Sequence, residues 1–252
     1  RAHGRGREWG CSWPPGAAGG ESSVSVSNPP PQASLAVKGS GDRFPVRRIF
    51  CVGRNYEAHV VEMGNDTREP PFFFTKPADA ARDTPCTVPY PPLTEDLHFE
   101  SELIIAIGKG GADISEADVM DHIWGASAGI DLTRRDLQAE AKKMGRPWDW
   151  GKAFDNSAPI APIRPMAEVP SVETGRIWLA VNGEMRQEAD LRDMIWSVRE
   201  HTATLSRAVT LAPGDIIMTG TPAGVGAVVP GDVITGGVDG IAEFEVTIGP
   251  RG

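Results

Sequence analysis

Three observations in the sequence predict a chain of many short strands and few, short helices. Short extended stretches rich in β-branched and aromatic residues outnumber helical ones. Asn182-Gly183 and Asp239-Gly240 sit between such stretches as turn signals. The few helical patterns are short and bounded by capping residues and glycines. A chain of 252 residues has room for one large or two small domains with a sizeable core.

Residues 1–42 are rich in Gly, Pro and Ser, with Pro14-Pro15, Gly19-Gly20 and Pro29-Pro30-Pro31, and read as a poorly ordered extension. Val24 to Val37 can still supply an extended edge segment; compact structure is expected from near Phe44, giving a single folded domain over 43–252. Arg47 to Val52 is a short apolar strand, and Asn55 is placed to cap a helix over about Tyr56 to Met63. His59 and Glu62 share a face of that helix, either as a surface polar pair or as a base oriented by a carboxylate.

Phe72-Phe73-Phe74 reads as a buried strand, and Pro85 to Leu93 as an extended approach to Leu97–Gly108, LHFESELIIAIG. In one continuous strand His98, Glu100, Glu102 and Ile104 point the same way. The apolar half, Leu103 to Ile107, predicts burial, where two ionised carboxylates need donors or a cation. By itself, Glu-x-Glu also suits a solvated edge strand. Ser115 with Asp118 opens a short helix, Gly125 to Ile130 is a small-residue strand delivering Asp131, and Thr133 with Asp136 has capping-box form before a helix over 134–144 closed by Gly145. Lys152, among the aromatic residues of WDWGKAF, either pairs with acids or has its pKa lowered. A hairpin at 177–181 and beyond, a helix over about 197–207, a strand at 215–219 and two final strands over 232–248 complete the chain. The loop Gly220 to Gly226 lacks a nucleotide-binding signature but can offer backbone N–H groups.

With 34 acidic and 25 basic residues and a net charge of -9, the composition argues against nucleic-acid or anionic-membrane partners. No apolar run is long enough to span a bilayer and no secretory segment is evident, so a cytoplasmic protein is expected. The three cysteines, Cys11, Cys51 and Cys86, have neither disulfide-framework nor zinc-site spacing, and Cys51 reads as a small buried residue. Glu100, Glu102 and Asp131 together offer hard oxygen ligands, suited to Mg²⁺ or Mn²⁺, with Ca²⁺ as a substitute.

The stretches CVGRNYEAHVVEM (51–63), PPFFFTKP (70–77), LHFESELIIAIG (97–108), GIDLTRRDLQ (129–138), GRPWDWGKAF (145–154) and MTGTPAGVG (218–226), in this order, resemble the fumarylacetoacetate hydrolase family, and most of all its bacterial branch acting on fumarylpyruvate. The resemblance implies a β-rich α+β fold, a mixed β-sandwich rolled on itself, assembled as a homodimer. It implies Glu100, Glu102 and Asp131 as metal ligands, His59 with Glu62 as the catalytic dyad, and Lys152 as a contact to the substrate oxo group. Gln138 and Thr221, with Arg54 and Arg135, fall at substrate-binding positions. His98-Phe99 departs from the family's usual His-His. The implied activity is metal-dependent hydrolysis of a C–C bond in an acylpyruvate, fumarylpyruvate first, in aromatic-acid catabolism. Oxaloacetate decarboxylation, 2-oxo-dienoate isomerisation or hydration, and non-catalytic oxo-acid binding are the alternatives.

Overall fold

A computed structural model describes residues 30–56 and 69–252. An eight-stranded mixed sheet forms the centre. Its main path runs Phe72–Lys76, Arg48–Gly53, Asp215–Met218, Ser101–Ile107, Ile123–Ile130, Ala158–Ile160, Ala81–Asp83, and Arg164–Pro165 adds to Ile123–Ile130. A five-stranded sheet, Glu184–Asp190, Arg176–Val181, Val233–Val238, Ala242–Arg251 and Cys86–Tyr90, contributes Ile177, Leu179, Ile234 and Phe244 to the same core as Leu103, Ile105 and Ile107. Ile104 and Ala106, of opposite parity, face a second core with Ile49, Ile216, Met218 and Leu35. Alternation along one strand thus feeds two apolar layers, which is why every residue of Ser101–Ile107 is buried. The result is the β-rich α+β roll that the resemblance implies, with Asn182 at φ 52° and Gly183 at φ 80° making the turn between Arg176–Val181 and Glu184–Asp190.

The packed chain starts earlier than residue 43. Ser34–Ala36 pairs with Arg43–Pro45, and Leu35 is fully buried against the second core, so the expected boundary falls inside a hairpin. The stretch Pro85 to Leu93, expected only as an extended approach, contributes the edge strand Cys86–Tyr90, parallel to Ala242–Arg251. Phe72, Phe73 and Phe74 form a strand as expected, but one at the sheet edge and half-buried, with Phe72 and Phe74 packing on Trp148 at 5.3 and 5.6 Å between ring centroids.

Among the described residues there are three α-helices: α1, Arg135–Met144, and α3, Val198–Ala208, fall where they were expected, while α2, Asp149–Lys152, was not foreseen. The Ser197 and Glu200 capping box opens α3, and Gly145 at φ 62° closes α1. The capping box expected of Thr133 and Asp136 is not formed. Asp136 accepts instead from Thr94 Oγ1 at 2.6 Å and from two backbone N–H groups, while Thr133 donates to the Asp131 carbonyl. Tertiary acceptors and donors have outcompeted the local motif. No helix among the described residues is long and apolar enough to cross a membrane.

Candidate active site

The continuous strand expected over 97–108 is two. Leu97–Phe99 belongs to a separate three-stranded sheet with Thr133–Arg134 and Gly226–Val228, and Ser101–Ile107 belongs to the central one. Glu100 is the step between them. Across the ladder the Asp131 N–H donates to the Glu100 carbonyl at 2.9 Å, and Glu102 lies opposite Gly129. This register gathers Glu100, Glu102 and Asp131 at one end of the sheet, all buried, with ligand oxygens within 4.8 Å of one another.

Cations neutralise two of the three. Lys152 Nζ donates to Glu100 Oε2 at 2.7 Å, Asp131 Oδ2 at 2.6 Å and Thr133 Oγ1 at 2.7 Å. Of the two outcomes open to Lys152, pairing holds: burial opposes its charge, but Asp131 and Glu100 outweigh that, and its pKa is raised. Arg135 binds Glu100 Oε1 at 2.6 Å and Gln138 Oε1 at 2.7 Å. Lys76 Nζ lies 2.8 Å from Asp131 Oδ1, yet this buried oxygen accepts no hydrogen bond, because the ammonium is aimed at the Leu132 and Lys152 carbonyls.

Glu102 is different. It accepts from the Gly220 N–H at 2.7 Å, and burial, then Asp131 and Glu100, push its carboxyl well above the usual range. A divalent cation among the three carboxylates would relieve that repulsion and engage Asp131 Oδ1, which accepts no hydrogen bond. The donor set, all oxygen, fits a hard cation such as Mg²⁺ or Mn²⁺.

The cluster floors a cleft lined by Arg54, Phe74, Arg135, Gln138, Lys142 and Thr221, among others. Arg135, Gln138 and Lys142 share one face of α1 at helical spacing. Thr221 sits on the loop whose start, Gly220, has φ 96° and passes so close to Asn55 that a Cβ there would lie 2.7 Å from the Asn55 Cβ. Asn55 donates to the Trp196 and Thr219 carbonyls and accepts from the Trp196 N–H, pinning this loop; the helix it was expected to cap lies outside the described residues. His59 and Glu62 lie outside the described residues. Cys51 is buried and its thiol pKa is pushed up by desolvation, then by Asp131, so it is no nucleophile.

Two residues here were not singled out in the sequence. Lys142 is the next residue of the Arg135–Gln138 helical face, so its signal was spacing. Gln187, buried in an otherwise exposed hairpin strand, bridges the Ser101 N–H at 3.0 Å to Thr221 Oγ1 at 2.8 Å; nothing in its neighbours announces it.

A β-rich roll that holds three buried carboxylates beneath a cleft rich in arginine and lysine defines a class: enzymes that bind a hard cation and a small anion together. Within that class the family is shown directly. Residues 48–249 match the fumarylacetoacetate (FAA) hydrolase C-terminal family, and the chain belongs to it. A fumarylpyruvate hydrolase from a Ralstonia species is 49% identical over 182 residues, covering 72% of this chain and 94% of the relative. The crystal structure of fumarylpyruvate hydrolase from Pseudomonas aeruginosa in complex with Mn²⁺ and pyruvate superposes with a TM-score of 0.88 at 48% identity, covering 90% of this chain and 100% of that one. The mitochondrial oxaloacetate tautomerase FAHD1 of Rattus norvegicus is 40% identical over 202 residues, 80% of this chain and 91% of the relative.

Proposed function

We propose that the protein hydrolyses fumarylpyruvate to fumarate and pyruvate with a bound Mg²⁺ or Mn²⁺. The observation that carries this reading is the acidic cluster, three buried carboxylates with Glu102 lacking a cationic partner among the described residues, at the floor of a cationic cleft. The similarity to two fumarylpyruvate hydrolases supports the choice of acyl group.

Glu100, Glu102 and Asp131 hold the ion. Its chemistry, when bound, is to polarise the 2-oxo and neighbouring oxygens of the substrate. His59, oriented by Glu62, takes a proton from water as that water adds to the distal carbonyl. The bond between that carbonyl carbon and the adjacent methylene carbon then breaks; its electron pair leaves with the pyruvate fragment, which is protonated at that carbon. Gln138, Thr221 and loop N–H groups orient the substrate. Lys152 is assigned to the 2-oxo oxygen; since its three protons are already donated, that contact requires one of Glu100, Asp131 or Thr133 to yield its place. A homodimer in the cytoplasm, serving aromatic-acid breakdown, completes the proposal; exposed Met144 and Trp150 on neighbouring helices suit a self-association surface.

Oxaloacetate tautomerisation is the second reading, favoured by the similarity to FAHD1. It needs the cation and a base but no activated water. The test is loss of fumarylpyruvate enol absorbance with Mg²⁺ or Mn²⁺, with and without EDTA. EDTA-sensitive loss yielding one fumarate per pyruvate is expected; intact fumarylpyruvate beside accelerated enol–keto exchange of oxaloacetate would transfer the assignment to the second reading.

A further inference from the structure

The basic residues of the cleft divide by whether an acid already holds them. Lys152 and Arg135 are committed to Glu100 and Asp131. Lys142 forms no ion pair among the described residues, although it lies in the same cleft. Its ammonium stands 5.0 Å from the centre of the Trp148 ring, which holds the half-buried side chain without neutralising it. Arg54 shares this cleft, and among the described residues its nearest acid, the exposed Glu69, is a loose 3.9 Å away. Burial, then Arg135 and Arg54, lower the Lys142 pKa to about 8, the mark of a cation waiting for an anion.

Placement along α1 separates the two ends of the cleft. Lys142 is seven residues beyond Arg135, roughly 10 Å along the axis at the rise of an α-helix. A substrate anchored near Arg135 and the acidic cluster therefore extends its other end toward Lys142. The two activities named among the relatives, on fumarylpyruvate and on oxaloacetate, both concern oxo acids with two carboxylates.

We infer that Lys142, with Arg54 beside it, receives the second carboxylate of the substrate and selects dicarboxylic oxo acids over monocarboxylic ones. This rests on the proposed activity for the identity of the substrate, but its test separates the two. Lys142→Met keeps the aliphatic stem against Trp148 and removes the charge. In the variant, the ratio of kcat/KM for fumarylpyruvate to that for acetylpyruvate, which lacks the second carboxylate, should fall ten- to hundredfold, mainly through KM. Lys142→Arg should restore part of the ratio. A binding measurement stands apart from turnover: by calorimetry, fumarate affinity should drop at least tenfold in Lys142→Met, and that of crotonate, with a methyl in place of one carboxylate, less than about twofold. Equal losses for fumarate and crotonate, or an unchanged kcat/KM ratio, would overturn the inference. A wild-type protein that leaves fumarylpyruvate intact yet shows the Lys142-dependent preference for fumarate would sink the hydrolase reading and uphold this one.

Discussion

Two buried acidic regions lie on the same central sheet, and they have opposite designs. Asp215 is fully buried, and every contact it makes serves the fold: Arg48 binds both of its oxygens, at 3.0 and 2.6 Å, Arg47 approaches at 3.2 Å, and the Ala212 N–H donates at 2.8 Å. Glu100, Glu102 and Asp131 are equally buried but crowd one another, and Glu102 is left with its charge opposed. Burial of a carboxylate is therefore no sign of function. Mutual repulsion held in place by a rigid sheet is, because the fold tolerates it only where something else is bound.

Breaking each region should have contrary consequences. In Glu102→Gln, kcat/KM is expected to fall by at least ~10³, and the rise in melting temperature produced by Mg²⁺ or Mn²⁺ should vanish. The EDTA-treated variant should melt no lower than the wild type, since a repulsion has gone; a preserved metal-induced shift would contradict the contrast. Asp215→Asn should do the reverse, costing about 2–3 kcal/mol of stability by denaturant titration, with kcat per folded molecule within about twofold. This figure is kept modest because Arg48 and Arg47 are partly exposed.

Gly220 links the acidic cluster to its loop. Gly220→Ala strains a φ of 96° and drives a Cβ against Asn55. It should cost about 1–2 kcal/mol and move the N–H away from Glu102, lowering activity about tenfold. Full activity in a stable variant would show that this donor is dispensable.

His201 gives the comparison a third case, a buried titratable group with no charged partner among the described residues. Desolvation lowers its pKa to about 3, so it is neutral in the folded protein below pH 6.5, where an unfolded histidine takes up a proton. Stability present above pH 6.5 is thus lost as pH falls toward 3, by roughly 1 kcal/mol per pH unit. His201→Phe should reduce the pH slope of unfolding in that window by one proton; an unchanged slope would mean that His201 does not account for it.

Much of the site was legible because its residues are anchored to periodic elements. The Glu-x-Glu pattern before an apolar run, and Asp131 after a small-residue strand, pointed to the cluster, and an ordered set of stretches pointed to the family. Legibility failed where a long-range partner decided the outcome. Thr133 and Asp136 had the local form of a capping box, but Lys152, Thr94 and Glu95 supplied competing partners. Gln187 looked like one more polar residue of an exposed strand until the Thr221 loop folded over it.

By itself the sequence determined the buried strand over Leu103 to Ile107, the small-residue strand before Asp131, the helix over 197–207, the Asn182-Gly183 turn and the residue types that can hold a hard cation, since these depend on side-chain period and local backbone preference. Only the tertiary structure decided that Glu100 would be the step between two sheets, that Asp131 would lie across the ladder from it, and that Lys142 would be left without an acid among the described residues. Those outcomes depend on register and on competition among distant charges for the same few partners, which become defined only when the sheet has closed.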